Sequence, residues 1–179
     1  MHVNFCHAFK NALEHSKVKQ FAMKDFLTSL SNRVSYDETI IRLASHSQRR
    51  QEPFGLLVLD MDNFKNVNDI HGHQIGDQVL TVCAETILHS LRETDFAFRL
   101  GGDEFCCLLP EVDNHTINLV AERIRNAIES HLLLRRHTIS CSIGITTYQK
   151  HDTQIDVFLR ADKTLYSAKK AGKNCIRLA

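Results

Sequence analysis

At 179 residues, 43% of them hydrophobic and 24% charged, the chain can bury the core of one globular domain and carry a short appendage besides. Twenty-two basic residues against 21 acidic ones give a net charge of +1, which excludes the broad basic face of a duplex-DNA binder yet permits a few placed cations around one small anionic ligand. No apolar stretch is long enough to span a bilayer and no signal peptide is recognisable, so the fragment is expected in the cytoplasm without membrane contact.

The six cysteines, Cys6, Cys83, Cys106, Cys107, Cys141 and Cys175, form no C-x-x-C pair and read as reduced, mostly buried thiols. Of the eleven histidines, His71 and His73 stand closest, without the cysteine or second cluster that a zinc site needs. Residues 3–24 place Phe5, Phe9, Leu13, Val18, Phe21 and Ala22 at irregular helical spacing with no glycine or proline. They read as a linker helix over residues 1–24, not a heptad coiled coil. Residues 25–32 form a turn, and a polar amphipathic helix over 36–51 is stopped by Pro53. The apolar run 54–59 reads as a buried strand, residues 60–65 leave it, and Gly72 and Gly76 bracket a loop. Asp77 is placed to cap a helix that runs to Leu91.

Strands over 96–99 and 105–109 follow, joined by Gly101-Gly102-Asp103-Glu104, where two glycines permit the positive φ of a tight hairpin. A helix over 114–131, a strand over 138–148, a helix over 155–171 and a strand over 174–178 complete the chain. The packing that suits this order is α+β, a palm-like βαββαβ core with a sheet that contains antiparallel pairs and is flanked by helices.

Three carboxylates carry the chemical signal. Asp60 sits past the end of an apolar strand, and Asp103 and Glu104 sit at the hairpin tip. If the two strands are neighbours, all three converge at one edge of the sheet. Two such charges about 4 Å apart repel by about 4 kcal/mol at an effective dielectric of about 20. A cluster of this kind persists where a cation cancels the charge, and hard oxygen ligands select Mg²⁺ or Mn²⁺. A pair of such ions can activate an attacking hydroxyl and stabilise a leaving pyrophosphate. Ordinary turn acids also populate hairpin tips, so spacing alone leaves both readings open.

Longer segments decide between them. Arg99-Leu-Gly-Gly-Asp-Glu-Phe105 resembles the signature of the GGDEF family. Asp25-Phe-Leu-Thr-Ser-Leu-Ser-Asn-Arg33 resembles its opening D-x-L-T-x-L-x-N-R, and Asp60-Met-Asp-Asn-Phe-Lys-Asn-Val-Asn-Asp69 resembles its D-x-D-x-F-K-x-x-N-D segment. Gly72-His73, Gly76-Asp77 and Tyr166-Ser-Ala-Lys-Lys-Ala-Gly-Lys-Asn174 follow in order, and the likeness covers residues 25–177.

The resemblance implies a diguanylate cyclase domain over residues 25–179, which joins two GTP molecules into cyclic di-GMP across a homodimer. It implies two magnesium (or manganese) ions per site, held by Asp60, the Met61 carbonyl, Asp103 and Glu104. Asp103 is then also the base for the 3′-hydroxyl. Lys65, Lys169 and Lys173 resemble the phosphate contacts, and Gly101 and Gly102 let the hairpin backbone approach the triphosphate. Asn68, His73 and Asp77 resemble the guanine-reading residues, although Asp77 reads on its own as a helix cap. Arg92-Glu-Thr-Asp95 resembles the R-x-x-D site at which the product inhibits, beside the plainer reading of an i,i+3 ion pair at a helix end.

The chain departs from the pattern at Lys173, where many members have arginine, at Ser29, where glycine is frequent, and at Asn63, where an apolar residue is frequent. Lysine keeps the charge of arginine but loses its bidentate fork, which weakens the hold on a triphosphate. An upstream sensory domain or regulator is expected to supply the input. The alternative is a degenerate, non-catalytic module that binds GTP or cyclic di-GMP and signals to a partner. A palm acting on nucleic acid would need a basic channel that the near-neutral charge does not supply, so no nucleic-acid partner is expected.

Overall fold

The apolar run that begins at Phe54 forms the central strand, β1 (Phe54–Asp62). The structure, a computed structural model, describes residues 22–179, so the linker helix expected over residues 1–24 lies outside the described residues up to position 21. In chain order the elements are α1 (Arg33–Arg50), β1, α2 (Phe64–His71), α3 (His73–His89), β2 (Phe96–Gly101), β3 (Glu104–Pro110), α4 (Asn114–Ser130), α5 (Leu132–Arg136), β4 (Ser140–Thr147), α6 (Gln154–Lys170) and β5 (Ile176–Leu178). The sheet order is β2-β3-β1-β4-β5, with β1 antiparallel to both β3 and β4, and β5 parallel to β4. The expected α+β architecture with its βαββαβ core is therefore found.

Both faces of β1 are covered, which is why it reads as an unbroken apolar run. Leu57, Leu59 and Met61 pack with buried residues of α3 and α4, while Leu56 and Val58 pack with those of α1 and α6. Continuing the alternation puts Asp60 and Asp62 at the α6 side of the strand end. Asp62 is 2% exposed. Its carboxylate accepts hydrogen bonds from the Ser140 and Ser142 hydroxyls, both at 2.8 Å, and from the Asn174 amide at 2.9 Å. A carboxylate is tolerated at such depth when its lone pairs are met in this way. These bonds carry β1 two residues beyond the expected exit at Asp60.

The segment expected as a loop between Gly72 and Gly76 is helical instead. Asn63 turns the chain at φ 65° into α2, and Gly72, at φ 80°, separates α2 from α3. Gly76 lies buried within α3, and a side chain there would overlap the Asn68 carboxamide. Gly72 is the N-cap of α3, so the cap reading of Asp77 is overturned: Asp77 stands beyond the first turn. The short α5 was also unforeseen, and Thr138, at φ 57°, ends the turn after it and delays β4 to Ser140.

Gly144 fixes how closely α6 approaches the sheet, because a Cβ there would overlap the backbone of Ala161 and Leu165. Replacing Gly144 with alanine should push α6 outward and destabilise the domain by about 3 kcal/mol, read by urea denaturation. A loss below about 0.5 kcal/mol would show that the helix yields freely.

Candidate active site

Register brings the acids together. Asp60 of β1 lies opposite Glu104 of β3, and the Met61 N–H donates to the Asp103 carbonyl at 3.2 Å. The strands are neighbours as the sequence reading required, and the acids meet at the strand ends rather than along a lateral edge. Asp60, Met61 and Asp103 line a cleft of about 270 Å³ together with Lys65, Lys169 and Lys173. Lys169 reaches from the last turn of α6 to Asp60, Nζ to Oδ2 at 2.6 Å. Burial pushes the Asp60 carboxyl up, the Lys169 hydrogen bond opposes this, and the neighbouring Asp103 charge adds to it, for a net rise above the usual carboxylate range. Burial is thus the larger cause of the rise, and the Asp103 charge the smaller.

Hard oxygen donors with residual negative charge suit a divalent cation. Among the described residues no three histidine, cysteine or carboxylate side chains already form a metal shell. Glu104 is exposed, so its side chain has room to turn toward Asp60.

The hairpin tip is held from two sides. Gly102 sits at φ 50°, in the left-handed region, and open space faces both Gly101 and Gly102 where a side chain would project. Arg99 donates from Nε and Nη2 to the Gly102 carbonyl at 3.0 and 2.8 Å, and from Nη1 to the Asp25 carboxylate at 3.0 and 3.2 Å. Asp25 also accepts from the Thr28 amide and hydroxyl, at 2.9 and 2.6 Å. The opening motif thus anchors the arginine that anchors the tip. Burial raises the Asp25 carboxyl, but the Thr28 and Arg99 bonds outweigh it and hold the group below its ordinary range.

The remaining candidates are arranged unevenly. Asn63 and Lys173, two of the three departures noted above, touch each other: Lys173 Nζ donates to Asn63 Oδ1 at 2.9 Å, and Asn63 Nδ2 donates to the Thr138 carbonyl at 3.3 Å. Asn68 packs against Gly76, the residue before Asp77. His73 and Asp77 are exposed on α3 and do not line the acid cleft, and Asp77 borders a separate groove with Leu27, Thr81 and Glu85. Arg92 and Asp95 close a turn just before β2, in which the Asp95 carboxylate accepts from the Arg92 main-chain N–H at 2.9 Å. The acid is thus engaged with the arginine's backbone, and the Arg92 side chain is exposed.

Sequence reasoning gave no role to Arg99, Asp25, Asp62 or Asn63. The R-x-G-G-D-E and D-x-D spacings were visible, but a partner 74 residues away, as Asp25 is from Arg99, leaves no local signal.

Residues 22–175 match the family described as "Diguanylate cyclase, GGDEF domain". The chain belongs to this family. It is 38% identical over 169 residues to the diguanylate cyclase DgcS of Shewanella oneidensis, covering 94% of this chain and 57% of that protein. It is also 31% identical over 172 residues to the cyclic di-GMP phosphodiesterase NbdA of Pseudomonas aeruginosa, covering 93% of this chain but 22% of that protein. The crystal structure of the coiled coil and GGDEF domain of DgcB from Caulobacter crescentus, in complex with c-di-GMP, matches with a TM-score of 0.91 at 31% identity, covering 98% of this chain and 95% of that one. The chain therefore spans little more than half the length of DgcS and under a quarter of NbdA.

Replacing Asp25 with alanine would leave the Arg99 guanidinium, 12% exposed, without its counter-charge, for an expected loss of about 3 kcal/mol at neutral pH. A carboxyl held below its ordinary value of about 4 contributes fully above that value and loses its contribution as pH falls through the folded-state value. The stability gap between parent and Asp25→Ala in denaturant titrations should accordingly narrow below about pH 4. A gap that stays constant there would mean that the charge of Asp25 plays no part.

Proposed function

We propose that residues 25–179 form a diguanylate cyclase domain that condenses two GTP into cyclic di-GMP and two pyrophosphates across a homodimer. The observation that supports this reading most is the pinning of the signature hairpin onto β1, Asp60 opposite Glu104 and Met61 bonded to Asp103, beside a cleft lined by Lys65, Lys169 and Lys173. In this reading the lysines take the triphosphate, and the open space before Gly101 and Gly102 lets the hairpin backbone approach it. Asn68, His73 and Asp77 read guanine, since a carboxylate accepts from its N–H edge and an amide serves its acceptor edge. Asp103 takes the proton of the 3′-hydroxyl. That oxygen bonds to the α-phosphorus of the GTP on the partner copy as the bond to pyrophosphate breaks, and the partner's 3′-hydroxyl then attacks the first α-phosphorus in the same way, releasing the second pyrophosphate and closing the ring.

Asp60, the Met61 carbonyl, Asp103 and Glu104 are the groups to hold two Mg²⁺ or Mn²⁺ ions, whose chemistry is charge neutralisation at the phosphates and activation of the hydroxyl. Arg92 and Asp95 are proposed to take the product at an inhibitory site, the guanidinium on a phosphate or base and the carboxylate on guanine. Regulation is assigned to an upstream sensory domain or regulator, and the site of action to the cytoplasm. Among the described residues no helix is long and apolar enough to cross a membrane.

Incubation with GTP and Mg²⁺ followed by nucleotide chromatography is expected to yield one cyclic di-GMP per two pyrophosphates. Asp103→Ala should abolish the product, activity per subunit should fall on dilution, and Arg92→Ala should remove product inhibition without lowering the initial rate. Intact GTP after incubation would favour the alternative, a module that binds GTP or cyclic di-GMP and signals to a partner. The likeness to a protein named as a phosphodiesterase motivates that alternative.

The contact between Asn63 and Lys173 yields a separate expectation. If Asn63 aims the ammonium at the triphosphate, Asn63→Ala should raise the KM for GTP about three- to tenfold, or about 0.7–1.4 kcal/mol, with kcat retained. In the Lys173→Ala background the same change should add little, since the two share one interaction. Fully additive effects on KM would uncouple them.

A further inference from the structure

The turn between α6 and β5 sets Gly172, Lys173 and Asn174 at positive φ in succession, 115°, 66° and 46°. Glycine bears this freely, a residue with a Cβ does not, and asparagine is among the few that tolerate it. Such a turn persists where its surroundings over-determine it. Asn174 is held at three points. Its main-chain N–H donates to Asp62 Oδ2 at 2.9 Å, its Nδ2 donates to Glu129 Oε1 at 2.8 Å, and its Oδ1 accepts from Arg125 Nη1 at 3.1 Å.

The last two partners belong to α4, which contributes no residue to the lining of the acid cleft. The Arg125 side chain is 18% exposed and is oriented by its own helix. Its Nε donates to Glu122 Oε2 at 3.2 Å, and its Nη1 donates to Glu129 Oε2 at 2.9 Å as well as to Asn174. Glu129 thus meets Arg125 with one carboxylate oxygen and Asn174 with the other, so each pair among the three side chains is bonded directly. The Asn174 hydrogen bond first, and that of Arg125 second, hold the Glu129 carboxyl below its ordinary range. Lys173 is the residue before this anchor, and its ammonium lines the cleft and donates to Asn63. A lysine stem is flexible and imposes little direction of its own. The backbone from which it springs therefore decides where the ammonium reaches.

We propose that Arg125 and Asn174 are positioning residues for the triphosphate, locking with Glu129 the turn from which Lys173 enters the cleft, a role that rests on the reading of Lys173 as a triphosphate contact. The probe is the α,β-methylene analogue of GTP, which cannot release pyrophosphate, titrated into the full chain with Mg²⁺ by calorimetry. Its dissociation constant should rise about five- to tenfold in Arg125→Ala and in Asn174→Ala, as expected when a charged hydrogen bond loses its aim. In the Lys173→Ala background, Arg125→Ala should add less than about twofold, because its effect passes through that lysine. Asn174→Asp sets a second carboxylate against Glu129 and should weaken the analogue as Asn174→Ala does. Adding Glu129→Gln returns a donor to that pair and should restore affinity to within about twofold of the parent. Melting curves check that each variant is folded, and if Arg125→Ala is not, the exchange of Asn174→Asp with Glu129→Gln decides.

Parent-like affinity in folded Arg125→Ala and Asn174→Ala overturns the proposal. So does full additivity of Arg125→Ala with Lys173→Ala, which would reduce the α4 contacts to general stability. An exchange pair that stays as weak as Asn174→Asp alone breaks the link from Glu129 to the turn and overturns it as well. If the parent takes up no analogue, or Lys173→Ala binds it as the parent does, the reading of Lys173 fails and this role falls with it. The other outcomes leave that reading standing.

Discussion

Arg99 divides its donors between the Gly102 carbonyl at the hairpin tip and the Asp25 carboxylate in the opening turn. A planar guanidinium with a fixed fork of donors can make both contacts at once, which a lysine could not. The tip would otherwise be mobile, since two consecutive glycines impose little on their own geometry. With Arg99 on one side and the Met61–Asp103 bond on the other, its backbone is located relative to β1. The position of Asp103 and Glu104 beside Asp60 follows from that constraint, and so does the cleft they share with the lysines.

The second device is the buried Asp62. Its carboxylate gathers two β4 hydroxyls and the Asn174 amide, so it fastens the end of β1 to β4 and to the chain that leaves α6. Two acids spaced by one residue on β1 thus have different tasks. Asp62 is fully engaged in structure, while Asp60 keeps a raised carboxyl and a lone ammonium partner, which leaves it the one able to change partners. The close approach at Gly144 brings α6, and with it Lys169, to Asp60. Helix packing and electrostatics at this strand end are therefore one arrangement.

Asn63 and Lys173 show how two departures from a shared pattern can belong together. They stand 110 positions apart, yet the carboxamide receives the ammonium at hydrogen-bond distance. Both residues adopt left-handed backbone conformations, φ 65° and 66°, at the turns that begin α2 and follow α6. A lysine that lacks the arginine fork gains orientation from a neighbour.

The sequence by itself determined the element order, the buried central strand and the family, because periodicity and ordered motifs are local properties of the chain. Asp60, Asp103 and Glu104 could be named from it, and their convergence followed once two strands were neighbours. The tertiary structure alone decided that register, the helical path through Asn63 to Gly76, and the place of Asp77 inside α3 rather than at its cap. It alone paired Asp25 with Arg99, Asp62 with Ser140 and Ser142, and Asn63 with Lys173. The physical reason is common to all of these. A side-chain contact across 70 or more residues depends on how strands pair and how closely helices settle on the sheet, and neither leaves a periodic trace in the sequence.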